Sequence, residues 1–209
     1  MRTRILKDNL VLSKLQKEIL VGLLLGDGCL ESTKNSQVAR LKVDQSLKQA
    51  EFVEWLYEVF KDFVHTPPRL KQIFRSDKRY SELVFNTLTH KSFKHFYNLF
   101  YPKGKKLVPE SIYKILSSKG LAVWFMSDGS VKSKECLGRI LNTQSFTRPD
   151  IERVLTVLRD KFNLNVSIRT QKDGLQIYIS AKSAEVLNKL LKDKILPFFQ
   201  YKLPIRSLR

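Results

Sequence analysis

The pattern of hydrophobic and polar positions predicts helices and strands in a mixed α+β order. Residues 13–27 contain the longest apolar run, Ile19–Leu25, and because the helix is apolar all round it is predicted to be buried. Apolar residues three or four positions apart predict a second helix at 47–63. Alternation predicts strands at 28–33, 38–45, 70–75 and 81–86, and a helical pattern returns at 91–101. The order is therefore αββαββα.

The same order occurs twice along the chain. Residues 40–47 (RLKVDQSL) align with 139–146 (RILNTQSF), and 20–28 (LVGLLLGDG) align with 121–129 (LAVWFMSDG). A third matched pair is the Lys-Leu-Val-Pro segment at 106–109 and the Lys-Leu-Pro segment at 202–204. We therefore predict two pseudo-symmetric repeats at 1–104 and 105–209, each with an antiparallel sheet. The last hairpin is predicted to turn at Asp173-Gly174.

Both apolar helices end in an Asp-Gly pair, Asp27-Gly28 and Asp128-Gly129. Glycine suits the left-handed position that ends many helices, so we expect that conformation at both glycines. A carboxylate there faces the negative end of the helix dipole, which is unfavourable. If the helices pack parallel, the two carboxylates also repel each other, and a divalent cation such as Mg²⁺ relieves both effects. The alternative for a single Asp-Gly pair is an ordinary turn after a helix.

Gly22 and Gly26 lie four residues apart in the first apolar helix and predict a groove for close helix packing. The expected partner is the second apolar helix at 122–127. Val123 takes the place of Gly22 there, so the second copy is expected to approach less closely.

The amino-acid composition indicates which kind of partner the protein binds. The 209 residues include 38 Lys and Arg against 20 Asp and Glu, which gives a net charge of +18, and 43% hydrophobic residues exclude a disordered basic tail. A folded chain of this charge predicts a polyanionic partner, either nucleic acid or an acidic membrane surface. The basic residues are not concentrated on one amphipathic helix, which favours nucleic acid.

Several other classes are excluded. No apolar run approaches the length of a transmembrane helix, and the first apolar segment lacks the cleavage site of a signal peptide. Two cysteines, Cys29 and Cys136, make neither a disulfide framework nor a zinc site. The expected compartment is reducing, and the protein is expected not to be secreted.

The two apolar segments 20–28 and 121–129 resemble the signature motifs of single-chain LAGLIDADG homing endonucleases. The segments 141–146 and 201–204 resemble the intron-encoded, mitochondrial-type branch of that family. The resemblance implies parallel motif helices between the repeats, a β-saddle that holds double-stranded DNA, and a monomer. It also implies a double-strand cut in a long, non-palindromic target. The location implied is a mitochondrial or chloroplast matrix, or the cytoplasm.

The resemblance also implies the catalytic centre. Asp27 and Asp128 would bind Mg²⁺, with Mn²⁺ as a substitute and Ca²⁺ supporting binding without cleavage. The carbonyl groups of Gly26 and Ser127 would complete the coordination. The remaining catalytic candidates are two amides that would orient a water and two lysines that would sit near the metals: Gln45, Gln144, Lys106 and Lys202. The alternatives are a structural hydrogen bond for each amide and a solvated charge for each lysine.

The strands carry basic and polar side chains that are candidates for DNA contact. In the first repeat they are Arg40, Lys42, Arg69, Lys71 and Arg75; in the second they are Lys132, Lys134, Arg139, Arg169, Lys172, Gln176 and Tyr178. The competing function is a catalytically silent nucleic-acid-binding protein, either an RNA maturase that interacts with intron RNA or a DNA-binding regulator. The presence of both aspartates favours cleavage.

Overall fold

The fold is α+β, as the sequence predicts, and the computed structural model describes residues 9–33, 35–76, 78–133 and 135–204. The first repeat contains, in chain order, α1 (Lys14–Leu25), β1 (Cys29–Glu31), β2 (Arg40–Ser46), α2 (Ala50–Phe60), β3 (Arg69–Arg75), β4 (Lys78–Asn86) and α3 (Lys91–Phe100). The predicted αββαββα order is present, and no strand or helix end differs from its predicted position by more than three residues.

The second repeat has the same order after a short extra helix. Its elements are α4 (Ile112–Ile115), α5 (Ser118–Asp128), β5 (Gly129–Ser133), β6 (Cys136–Asn142), α6 (Arg148–Thr156), β7 (Val166–Gln171), β8 (Gly174–Ile179) and α7 (Ala184–Leu191). Short helical turns at 181–183 and 197–202 complete it. The last hairpin turns at Lys172-Asp173, one residue earlier than predicted, and Gly174 begins β8 with a positive φ of 138°.

Helix starts follow local capping chemistry. The Ser13 hydroxyl accepts a hydrogen bond from the Gln16 backbone N–H, and the Gln16 side chain accepts one from the Ser13 backbone N–H. Thr147 and Asp150 form the same reciprocal pair at the start of α6. Each pair satisfies two donors that a helix start leaves without partners, which explains why these helices begin at Lys14 and Arg148.

Each repeat has a four-stranded antiparallel sheet, in the order β1-β2-β4-β3 in the first and β5-β6-β8-β7 in the second. In the first sheet we call the face with buried Leu41, Val43 and Phe85 the inner face. The buried side chains of α2, including Phe52 and Leu56, cover this face. The opposite, outer face of each sheet carries most of the polar strand residues.

The chain divides into two compact units whose boundary differs from the sequence repeat. The first unit comprises the described residues up to Lys17 together with Asp27–Leu99; the second comprises Glu18–Gly26 together with the described residues from Phe100 onward. Most of α1 therefore belongs to the unit that contains α5. The repeat boundary at 104 and 105 stays a prediction about sequence.

Within the second unit, α1 and α5 approach closely at small residues. A Cβ added to Gly22 would lie 2.2 Å from the Gly120 carbonyl oxygen, and one added to Gly26 would lie 2.9 Å from the Ser127 Cβ. The contacts advance along both helices together, so the helices run in the same direction. Gly120, which the repeat alignment did not single out, provides the close approach in the second helix.

The glycines after the two aspartates are not in the left-handed conformation expected from the sequence. Gly129 has an extended backbone (φ −68°, ψ 135°), and Gly28 is not among the described residues with positive φ. Glycine is needed at 129 for space, because a Cβ there would lie 2.3 Å from the Phe125 carbonyl oxygen.

Candidate functional site

The end of α1 presents an exposed carboxylate. Asp27 follows the last turn of α1, and its Oδ2 accepts a hydrogen bond of 3.2 Å from Gln45 Nε2. Gln45 is buried on the inner face of β2, so its amide is held in place by the sheet. The predicted proximity of Gln45 and Asp27 is present, and their catalytic roles stay predictions.

A lysine lies at the same helix end. Lys106 Nζ donates a hydrogen bond of 2.6 Å to the Gly26 carbonyl oxygen, and its ammonium lies 6.0 Å from the centre of the Phe146 ring. The backbone that follows Lys106 is held in place, because the Val108 N–H donates a hydrogen bond of 3.1 Å to buried Asp150. A cation beside the last carbonyls of a helix interacts favourably with the helix dipole.

The end of α5 has the same pairing of aspartate and lysine. Asp128 is half-buried, and its Oδ2 accepts a 3.2 Å hydrogen bond from Trp124 Nε1. Lys202 is buried, and its Nζ donates to the Met126 carbonyl at 2.5 Å and to the Ser127 carbonyl at 3.4 Å. Its ammonium lies 5.0 Å from the centre of the Phe199 ring. Each motif helix therefore ends with a carboxylate and a lysine-bound carbonyl.

The oxygen atoms at these helix ends fit a hard divalent cation. Carboxylates and main-chain carbonyls are the ligands that Mg²⁺ prefers, and a carbonyl oxygen with one lysine donor keeps a second lone pair. Among the described residues, no group of three or more His, Cys, Asp and Glu side chains is placed to hold a metal. A cation here would therefore need carbonyl or non-protein oxygens in addition to the aspartates.

Gln144 and Arg139 lie elsewhere than the sequence alignment predicts, and both errors have one cause. The alignment pairs Arg40 with Arg139, yet Arg40 is on an outer face while Arg139 opposes buried Ile179 on the inner face of the second sheet. The position that corresponds to Arg139 is therefore the inward-facing Leu41. A one-residue shift in register turns a side chain to the other face.

The same shift moves Gln144 beyond the end of β6, where its Nε2 donates to Asp173 Oδ2 at 3.1 Å. The alignment of Gln144 with Gln45 is therefore out of register by one residue, and the catalytic role of Gln144 stays a prediction.

Arg139 is not placed to contact DNA. It is 4% exposed, and its guanidinium donates to the carbonyls of Cys136, Gly138, Lys202 and Leu203. Burial lowers the pKa of Arg139 from its ordinary value. We therefore remove Arg139 from the predicted DNA contacts and assign it to holding the segment that carries Lys202.

The outer face of the first sheet is basic, with acidic side chains between the cations. Arg40 and Lys42 lie 2.7 and 3.4 Å from Glu31, and Lys71 lies 2.8 Å from Asp44 and 3.2 Å from Glu82. Arg75 lies 3.4 Å from Glu82 and is well exposed, while Arg69 is exposed on the same face. Four of the five predicted contact residues in this sheet therefore have salt-bridge partners.

The outer face of the second sheet carries the remaining candidates. Lys132 Nζ lies 5.0 Å from the centre of the Tyr178 ring, and with Arg169 and Ser167 they line a shallow depression. Gln176 lies on the same face opposite Arg169, and Lys172 is exposed in the β7–β8 turn. Lys134 lies outside the described residues.

Two further side chains at this end of the molecule were missed by the sequence reasoning. Asn142 Nδ2 donates to the Asp128 carbonyl at 2.9 Å, and Trp124 binds the Asp128 carboxylate as described above. Trp124 was considered only as a bulky apolar residue. Asn142 is aligned with Val43 in the sequence repeat, and only the strand register reveals its neighbours.

Comparisons with known proteins identify the relatives of the chain. Residues 17–187 match the model of the LAGLIDADG DNA endonuclease family. The "Probable intron-encoded endonuclease 1" of Wickerhamomyces canadensis is 31% identical over 92% of this chain and 85% of its own length. The "Cytochrome b mRNA maturase bI2" of Debaryomyces hansenii is 27% identical over 97% of this chain and 78% of its own.

Solved structures show the same architecture. The homing endonuclease I-WcaI, bound to its DNA recognition sequence, has a TM-score of 0.92 at 28% identity over 99% of this chain and 93% of its own. The homing endonuclease I-DmoI, in complex with DNA and Mn, has a TM-score of 0.52 at 14% identity over 93% and 99%, a likeness of fold alone. No helix among the described residues is long and apolar enough to cross a membrane.

Proposed function

Because this chain belongs to the LAGLIDADG DNA endonuclease family, we propose that it is a site-specific homing endonuclease. Its substrate is a long, non-palindromic stretch of double-stranded DNA, in which it hydrolyses one phosphodiester bond in each strand. The similarity to an intron-encoded endonuclease and to a DNA-bound homing endonuclease supports this substrate. The similarity to mRNA maturases of cytochrome b supports a mitochondrial location.

The observation that carries the proposal is the repeated chemistry at the ends of α1 and α5. In each case a lysine ammonium binds a main-chain carbonyl next to the motif aspartate, through Lys106 at Gly26 and Lys202 at Ser127. A protein that only bound nucleic acid would have no need for a carboxylate at the unfavourable end of a helix dipole. The duplication fits a reaction carried out once on each strand.

The proposed roles follow from these positions. Asp27 and Asp128 each supply carboxylate oxygens to a divalent cation, Mg²⁺ or Mn²⁺, with the Gly26 and Ser127 carbonyls as further ligands. When bound, the metal activates a water and stabilises the leaving oxygen. Lys106 and Lys202 offset charge that develops on the phosphate, and Gln45 orients a water beside Asp27.

The test is cleavage of a plasmid library with long randomised targets. We expect linear product with Mg²⁺, binding without product with Ca²⁺, and loss of product in both Asp27→Asn and Asp128→Asn. Asp62→Asn is the matched control, because Asp62 is exposed on the short helical turn after α2 and lies outside the proposed site. Tight binding without cleavage by the wild-type protein would contradict the proposal.

The maturase relatives favour a second candidate function, assistance to splicing of an intron RNA. The positively charged chain is compatible with either polyanion. An intron-containing transcript incubated with Asp27→Asn protein separates the two functions. Splicing that survives this substitution while DNA cleavage is lost would establish RNA binding as an independent activity.

A further inference from the structure

Three polar groups form a chain of hydrogen bonds from the outer face of the second sheet to the end of α5. Gln176 Nε2 donates to Asn142 Oδ1 at 2.9 Å, and Asn142 Nδ2 donates to the Asp128 carbonyl oxygen at 2.9 Å. Gln176 lies in the middle of β8, and Asn142 is the last residue of β6, directly opposite it in the sheet. The chain therefore joins a strand side chain to the backbone of a motif aspartate.

The first bond fixes the direction of the second. An asparagine amide has one oxygen that accepts and one nitrogen that donates. Because Gln176 donates to the Asn142 oxygen, the Asn142 nitrogen is directed at Asp128. The Asp128 carbonyl is among the last four of α5, which have no donor within the helix. Asn142 thus supplies the missing donor and holds the residue that carries the carboxylate.

The Gln176 amide presents a defined pattern of one hydrogen-bond donor and one acceptor on the side away from Asn142. Its oxygen cannot turn toward Asn142 without facing another oxygen, so one N–H stays on Asn142. The other N–H and the oxygen remain side by side on the outer face, where Gln176 is half-exposed opposite Arg169. An adjacent donor and acceptor complement N7 and N6 of adenine in the major groove, and they match no other base as well.

We propose that Asn142 and Gln176 are a positioning pair that links the reading of one adenine to the placement of the Asp128 backbone. The inference rests on the proposed function and adds a specificity-determining residue to it. A base that presents only acceptors to Gln176 draws the amide away from Asn142, which then loses its fixed orientation. The wrong base is therefore penalised in cleavage as well as in binding.

The first repeat lacks this pair. The residue before inward-facing Gln45 is Asp44, at the position that corresponds to Asn142 before Thr143, and Val84 lies opposite it. A carboxylate cannot donate to a backbone carbonyl, and valine cannot orient it. The link is therefore confined to Asp128 and predicts an effect on one DNA strand only.

The test compares three variants on a target labelled on each strand. Asn142→Ala is expected to slow cleavage of one strand about 10- to 100-fold, while DNA affinity in Ca²⁺ changes less than about threefold. Asn142→Asp, which keeps the size of the side chain, is expected to behave in the same way. Asn98→Ala, at an exposed position of α3, is the matched control for loss of an amide.

Gln176→Ala separates reading from positioning. Selection of bound DNA in Ca²⁺ from a randomised library is expected to lose an adenine preference at one position and nowhere else. The same variant is expected to slow the strand that Asn142→Ala slows. Equal slowing of both strands, or an unchanged base preference in Gln176→Ala, would overturn the inference.

A measurement that needs no cleavage keeps this inference separate from the proposed function. The side-chain amide resonances of Asn142, assigned from their loss in Asn142→Ala, are expected to shift in Gln176→Ala and to stay in place in Asn98→Ala. Wild-type protein that cuts no DNA contradicts the proposed function. The base preference and the Asn142 resonances then decide the inference by themselves, and unshifted resonances overturn it.

Discussion

At the end of each motif helix, one buried side chain fixes the backbone segment that carries the lysine. Asp150, 4% exposed, accepts hydrogen bonds from the Val108 N–H and from Arg153 at 3.0 Å, and so holds the segment that begins at Lys106. Arg139 does the same for Lys202 through the carbonyls of Lys202 and Leu203. One of these buried side chains is an acid and the other a base, so the two helix ends reach the same arrangement by different chemistry.

Replacing Arg139 tests its structural role. Arg139→Met leaves several buried carbonyls without donors, so we expect the free energy of unfolding to fall by about 3 kcal/mol. Urea denaturation followed by circular dichroism measures it. Arg169→Met, at an exposed position in β7, is the control and is expected to change stability by less than about 0.5 kcal/mol. Equal losses in the two variants would contradict the assignment.

The elements show what sequence patterns can and cannot predict. Apolar periodicity and the internal repeat give the order of helices and strands, because burial acts on every position of an element. Strand register is different. The sequence alignment pairs identical residues (Arg40 with Arg139, Gln45 with Gln144), but the positions that face inward in the two sheets are displaced by one residue from that alignment. Contacts between distant residues, such as Asn142 with Asp128, leave no periodic trace and were missed for that reason.

The crossing of α1 and α5 depends on glycine in both helices. A Cβ on Gly120 would lie 2.9 Å from the Glu18 carbonyl oxygen, a backbone atom that cannot rotate away. We expect Gly120→Ala to reduce the free energy of unfolding by about 2–3 kcal/mol, as overpacking does. Gly104→Ala is the comparison: it has open space but a φ of 74°, so a loss of about 1 kcal/mol is expected there.

The cluster of Lys71, Asp44 and Glu82 makes the first sheet sensitive to acid. Burial opposes ionisation of Asp44, but the Lys71 ammonium 2.8 Å away holds the pKa of Asp44 below the ordinary 3.8. A carboxyl whose pKa is lower in the folded state stabilises the fold above its unfolded pKa, and that contribution is lost as the pH falls through the folded pKa.

We therefore expect Lys71→Ala to lower the free energy of unfolding slightly at neutral pH, because exposed ion pairs contribute little. The cost is expected to shrink below about pH 4, where the carboxylates take up protons in both proteins. Thermal unfolding of wild type and variant across this range measures the difference. A cost that stays constant down to acidic pH would contradict the role of the ion pairs.

At the scale of the whole molecule, the net charge of +18 predicts binding that weakens steeply with salt. Much of the basic charge on the first sheet is paired with Glu31, Asp44 and Glu82, so net charge overstates the number of cations available to phosphates. Unpaired side chains on an outer face are the better candidates.

Removal of one basic side chain that contacts a phosphate is expected to reduce the salt dependence of DNA binding by the contribution of one phosphate contact. Arg69→Ala should reduce the slope of log K against log salt by about one if Arg69 contacts a phosphate. Fluorescence anisotropy with target DNA in Ca²⁺ at several salt concentrations measures the slope. Lys61→Ala, an exposed lysine paired with Glu58 after α2, is expected to leave it unchanged. Equal slopes for wild type and Arg69→Ala would exclude this phosphate contact.

The assignment of Glu18–Gly26 to the second compact unit bears on how such proteins can be recombined. A gene fragment that ends at residue 104 would encode an apolar helix without its partner α5, and its product would be prone to aggregate. To replace the first sheet with the sheet of a related protein, the junction is better placed between Gly26 and Asp27, so that α1 stays with the α5 of this protein. The part of this protein that can be exchanged is thus a sheet with its own helices. The part that is retained contains α1 and α5, one from each repeat of the sequence.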